Sequence, residues 1–182
     1  MARIGLNNFR YALLTEAQDG TPTYTGCKKP AKAISCSVEV SNNEAKLYAD
    51  DVVAESDTSF AGGTVTIGID DDDQTMMAEL LGHTIADGVM VRKSSDTAPY
   101  VGFGRVIVKM VNSVYKYKVE MLYKVKFSEP SQEDNTKGES VEFATSEMQG
   151  VIAQLANEEW SQTKTFDNRD DAIDWLEDQL GG

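Results

Sequence analysis

KYKVEMLYKVKFSEPSQEDNTKGESVEF, residues 116–143, holds the clearest strand pattern in the chain. With Tyr115 in front, it places Tyr115, Tyr117, Val119, Met121, Tyr123, Val125 and Phe127 on one face. Lys116, Lys118, Glu120, Leu122, Lys124 and Lys126 take the other. Period two with β-branched and aromatic residues is the signature of a strand. The strand then meets SEPSQEDNTKG, residues 128–138, which offers nothing to a core, before the pattern returns. Thirteen strand residues at ~3.3 Å each span roughly 40 Å, whereas a domain of this length is about 30 to 35 Å across. The spacing therefore predicts an extended β-hairpin arm over about 115–143 that passes beyond the core. An isolated hairpin is poorly stabilised in water, so such an arm needs a neighbour to lie against.

The rest of the chain fits one mainly β (α+β) domain over residues 1–182. Ile34, Cys36, Val38 and Val40 alternate in AISCSVEV, and Val65, Ile67 and Ile69 alternate in TVTIGID. YVGFGRVIVKMV, residues 100–111, is apolar on both faces in its second half, as a central strand would be. GVIAQLA, from residue 150, supplies a later strand. Two helices are predicted. One covers about 71–81, with an acidic start, an apolar stripe of Met76, Met77, Leu80 and Leu81, and Gly82 at its end. The other covers about 168–180, capped by Asp167 or Asn168, with Ile173, Leu176 and Leu180 as its stripe.

Composition bounds function. Of 182 residues, 41 % are hydrophobic and 26 % charged, the globular range. No apolar run is long enough to cross a bilayer, and the N-terminus lacks a signal-peptide pattern, so synthesis in the cytoplasm is expected. The net charge of −13 argues against ordinary nucleic-acid binding. The charge is unevenly placed: residues 1–38 carry net +3, residues 39–79 net −10, residues 92–126 net +6 and residues 127–182 net −11. Such segments can form acidic and basic faces that meet in copies of the same molecule.

Signatures of chemistry fail one by one. Asp70 to Asp73 do not begin a calcium loop, because its sixth and twelfth positions hold Thr75 and Leu81. His83 is the single histidine, placed where a helix end favours a protonated imidazole. Cys27 sits beside two lysines that could lower its pKa, without further support for a reactive thiol. One histidine and two cysteines nine residues apart give no zinc spacing. GFGRVI lacks the third glycine of a dinucleotide fingerprint. Trp160 and Trp175 read as packing residues rather than as sugar platforms. No enzyme, cofactor or metal is expected.

Taken in order, several stretches resemble one family. They are MARIGLNNFRYALLTE, KLYADDVVAESDTSF, GGTVTIGID, APYVGFGRVIVK, YKYKVEMLYKVKFSEPSQEDNTKGESVEF and KTFDNRDDAIDWL, which together run through nearly the whole chain. The chain resembles the major tail proteins of long-tailed phages of Gram-positive bacteria, the subunits of the tail tube. The resemblance implies a β-sandwich or barrel-like core flanked by a helix. It implies a structural virion protein, made in the host cytoplasm. Its hexameric rings stack head to tail into the hollow tube that delivers the genome, with other tail proteins at the tube ends. DNA would pass through the lumen without specific binding, which suits an acidic wall.

Within that expectation the first assembly candidates are Glu129, Pro130, Glu133, Asp134 and Lys137, in the tip of the predicted arm. The second are Asp50, Asp51, Glu55 and Asp57, within residues 46–60. The lysine row Lys116, Lys118, Lys124 and Lys126 is expected to pair with acids of a neighbouring subunit rather than face the lumen. Two other readings stand beside this one: an acidic DNA mimic that occupies a DNA-binding enzyme, and a small β-sandwich binding module.

Overall fold

The computed structural model describes residues 2–30, 33–49, 52–69, 73–130 and 146–182. The described chain forms β1 (Ala2–Glu16), β2 (Pro22–Lys28), β3 (Ala33–Ala49), β4 (Val52–Ile69), α1 (Gln74–Leu81), β5 (Thr84–Ala86) and β6 (Val89–Val91). It continues with β7 (Val101–Val111), β8 (Val114–Phe127), β9 (Ser146–Ala153), β10 (Ser161–Phe166) and α2 (Arg169–Gln179). Eight strands make one antiparallel sheet in the order β2-β1-β7-β8-β9-β4-β3, with β10 added beside β8, while β5 and β6 pair apart from it. The expected mainly β, α+β architecture with two helices is what the chain adopts.

The sheet curls on itself. Arg105 of β7 donates to the carbonyl of Cys36 in β3 at 3.1 Å. These strands stand four places apart in the order, roughly 19 Å in a flat sheet at ~4.8 Å per strand, beyond the reach of a side chain. The concave face closes over Phe9, Tyr11, Val65, Ile67, Ile69, Val101, Phe103, Leu122, Val125, Phe127, Met148 and Ile152, with Met76, Met77, Leu80 and Leu81 of α1 as its plug. A second cluster on the convex face joins Ala12, Val106, Val119 and Met121 to Ala172, Leu176 and Leu180 at the C-terminal helix.

β8 reaches both clusters because it changes face. Val101 pairs with Val125 but Phe103 pairs with Leu122, so Gly102 of β7 opposes both Tyr123 and Lys124 of β8. This β-bulge inserts one residue and flips every side chain after it. Val119 and Met121 face α2, whereas Val125 and Phe127 face α1. The single apolar face predicted for Tyr115 to Phe127 is thus corrected.

The predicted arm is corrected as well. β8 pairs with β7 along one edge, and along the other with β10 from Tyr117 to Leu122 and with β9 from Lys124 to Phe127. It is a central strand, buried at Val119, Met121, Leu122, Val125 and Phe127. Apolar residues on both faces are what the interior of a sheet demands. The expected return of the arm, at 139–143, lies outside the described residues.

Local chemistry sets the helix limits. Asp73 caps α1 by accepting from the Thr75 amide at 3.0 Å, so the helix starts three residues later than predicted. Gly82 closes it in the left-handed region at φ 77°, as expected. Of the two candidate caps for α2, Asn168 serves, taking the Asp170 amide at 3.1 Å. Asp170 and Asp171 then sit in its first turn, where the helix dipole favours acids.

Candidate functional site

A two-stranded ribbon, made by β3 and β4, leaves the sheet. The two pair continuously from Ala33 opposite Ile69 to Ala49 opposite Val52. β9 supports β4 only from Gly63 to Ile69. β3 ends the strand order, with no strand on its outer edge among the described residues. From Asn42 to Ala49 and from Val52 to Phe60, therefore, the strands pair only with each other. Eight residues at ~3.3 Å carry the ribbon about 26 Å past the sheet. Asn42, Asn43, Glu44, Thr58 and Ser59 are exposed.

The ribbon's root is built. Ser41 pairs with Gly62 and Asn42 with Phe60, which leaves Ala61 as an extra residue on β4. Gly62 adopts φ 130°, which other residues rarely do. A Cβ on Gly63 would lie 2.7 Å from the Glu39 carbonyl oxygen, so only glycine lets β3 approach there. Phe60 stacks on Trp160 with centroids 4.7 Å apart and planes 6° apart. The Trp160 carbonyl accepts from the Tyr123 amide at 3.0 Å, at the bulge of β8. The ribbon is thereby fixed to the point where β8 exchanges β9 for β10.

Of the second set of assembly candidates, Glu55 and Asp57 fall on this ribbon. Glu55 and Asp57 pair with Leu47 and Ala45 through the backbone of β4. Asp50 and Asp51 stand in sequence between the paired Ala49 and Val52 and lie outside the described residues. Residues 42–60 hold five acids and one lysine. Of the first set, Glu129 and Pro130 follow β8 directly, while Glu133, Asp134 and Lys137 lie outside the described residues.

The lysines do not form one row, because the bulge parts Lys116 and Lys118 from Lys124 and Lys126. Each has a partner within the chain. Lys116 pairs with Asp167, and Lys118 lies 3.7 Å from Glu120. Lys124 reaches Glu16 at 2.5 Å. Lys126 stands over the Tyr100 ring at 5.4 Å. Lys124 and the Ala156 amide together hold the Glu16 carboxyl below the usual glutamate range. Deeper still, Arg105 is buried and binds Glu120 at 2.5 Å, two groups that face each other across β7 and β8.

His83 is held on both sides. Its Nδ1 lies 2.8 Å from Asp96 and its Nε2 2.5 Å from Glu129. The sequence placed this histidine at a helix end but had no means of showing that two carboxylates distant in the chain would meet it. Cys27 does not have the environment of a reactive thiol: burial pushes it up, against the opposing pull of Arg10. Both cysteines are free. Trp160 and Trp175 pack, on Phe60 and Phe166 respectively. Among the described residues no three of His, Cys, Asp and Glu are grouped to hold a metal ion, and no helix is long and apolar enough to cross a membrane.

No protein-family model matches the chain, and no curated protein matches it.

Proposed function

We propose that the chain is a structural subunit that assembles with copies of itself into rings stacked as a hollow phage tail tube. The observation that carries this reading is the β3–β4 ribbon, which extends past the sheet from a root fixed by Gly62, Gly63 and the Phe60–Trp160 stack. A two-stranded ribbon gains little from its own pairing in water and is stabilised by lying on another surface. In a stacked tube that surface belongs to the next subunit, an unlike patch of an identical chain. The alternation of acidic and basic segments supplies unlike patches. The resemblance of the sequence to phage major tail proteins supports the same reading. An acidic wall would let DNA pass without adhering. The ribbon now takes the part first assigned to residues 128–138, and the four lysines, partnered within the chain, are not needed between subunits.

Negative-stain electron microscopy at rising protein concentration, with mass photometry of the same samples, tests the proposal. Rings or hollow tubes are expected. A particle that remains one or two chains at every concentration, and is absent from tail fractions of induced phage, would instead favour an acidic DNA mimic. The net charge of −13 is the observation on which that second reading rests.

A further inference from the structure

His83 joins two segments that are far apart in sequence. It follows α1 directly, and its amide donates to Ala78 O at 2.9 Å, so its backbone is fixed to the helix end. Its side chain is 6 % exposed. Nδ1 points at Asp96, in the loop after β6, and Nε2 at Glu129, just past the end of β8. A neutral imidazole has one N–H and one lone pair, so it can donate to only one of two carboxylates, and the other meets it acceptor to acceptor. Both contacts are hydrogen bonds only when the ring carries both protons.

The surroundings hold the acids in place. Asp96 also accepts from the Lys93 amide at 2.9 Å, which turns its carboxylate towards the ring. From the same loop Arg92 lies 3.7 Å from the second oxygen of Glu129. Glu79, the acid of α1, is engaged elsewhere by Tyr11 and Lys28. The charged groups about His83 are therefore Asp96, Lys93 and Arg92 from the loop after β6, and Glu129 after β8.

We propose that His83 is a proton-held clasp. As imidazolium it ties the loop after β6 to the chain leaving β8, and on losing its proton it releases one of the two carboxylates. The inference does not depend on the assembly reading. The Asp96 hydrogen bond, and then the Glu129 hydrogen bond, raise the histidine above its ordinary range against the opposing effect of burial. A raised native value means that the clasp is closed below the ordinary histidine range, and that its stabilisation is lost as pH rises through the native value. Glu129 is half exposed whereas Asp96 is largely covered, so Glu129 is the partner that leaves.

The single histidine makes the test direct. Long-range ¹H–¹⁵N NMR of the intact protein would follow both ring nitrogens through a pH titration, for wild type, E129Q and D96N. Circular dichroism would confirm that each variant folds. The clasp predicts a midpoint above the usual ~6.5, lowered in both variants and more in D96N. It also predicts that amide protection at residues 128–129, after allowance for the intrinsic pH dependence of exchange, falls in wild type as His83 deprotonates, and that in E129Q it is already lower below that pH. A wild-type midpoint at or below the usual value would overturn the proposal. So would a midpoint that E129Q leaves unmoved, because His83 would then not bridge the two segments.

Discussion

Two long hairpins of this chain meet opposite fates. β7 and β8 pair over Val101–Val111 and Val114–Val125, and β3 and β4 pair over Ala33–Ala49 and Val52–Ile69. The first is immersed in the sheet and the second runs out of it. The difference follows from side chains rather than from length. β8 has apolar residues to bury on both faces, and the bulge near Tyr123 presents one set to α1 and the other to α2. The outer ribbon offers Asn42, Asn43 and Glu44 against Thr58 and Ser59, which have nothing to gain from a core. Length says that a hairpin is long, and the pattern on both faces says whether it lies inside.

The comparison predicts a graded response to mutation. Phe103→Ala, in the immersed hairpin, empties a site between Phe9 and Phe127, whose rings stand 5.4 Å and 5.9 Å away. It should cost about 3 to 5 kcal/mol, measured as a lowered midpoint in urea. Gly63→Ala, at the ribbon's root, forces a Cβ against backbone that cannot swing aside. It should cost about 1 to 3 kcal/mol, with faster amide exchange from residue 39 to residue 63 while the core stays protected. A loss as large as that of Phe103→Ala would mean that the ribbon and the core are one cooperative unit. Thr58→Ala, further out, should stay within about 0.5 kcal/mol by the same urea measurement.

The smallest effect sharpens the immersed side. Glu16 is held below the usual range by Lys124 and the Ala156 amide. A lowered native value gives stability that is present above the ordinary glutamate pKa and lost as pH falls through the native one. Glu16→Gln should therefore lower the thermal midpoint modestly at neutral pH, and the gap to wild type should close as the solution is acidified. An unchanged gap would show that Glu16 contributes by packing rather than by charge.

The sequence revealed the parts whose pattern is local. Period two marked β8, and the stripes of Met76, Met77, Leu80 and Leu81 and of Ile173, Leu176 and Leu180 marked the helices. The αL glycine Gly82 fixed one helix end. What escaped is set by tertiary context. A bulge at Tyr123 has no residue signature, yet it reverses a face and divides the lysines. Strands β3 and β4 were legible only where Val38 and Val65 alternate with polar neighbours, because residues 42–60 mix polar residues with Leu47, Tyr48, Val52 and Val53 in no sustained alternation. β5 and β6 are three residues each and were missed, although Asp87 and Gly88, both at positive φ, make a turn that Asp-Gly announces. The arm expected over 115–143 fails at β8, because the length of 115–127 says nothing of the bulge that turns Val125 and Phe127 to the face opposite Val119 and Met121; residues 131–138 of its tip lie outside the described residues. Of the second choice, residues 46–49 and 52–60 fall on the ribbon, and residues 50–51 lie outside the described residues. His83 was visible, but its carboxylate partners, 13 and 46 positions away, were not.

The central claim is that the ribbon, rather than the body of the sheet, joins one copy to the next. It is tested most directly by replacing residues 43–59 with an Asn-Gly turn and comparing the variant with wild type by mass photometry and negative-stain microscopy. The account predicts that the variant keeps the circular dichroism and amide protection of the folded sheet but remains a single chain where wild type forms rings or tubes. Rings or tubes of normal diameter from the shortened protein would contradict it.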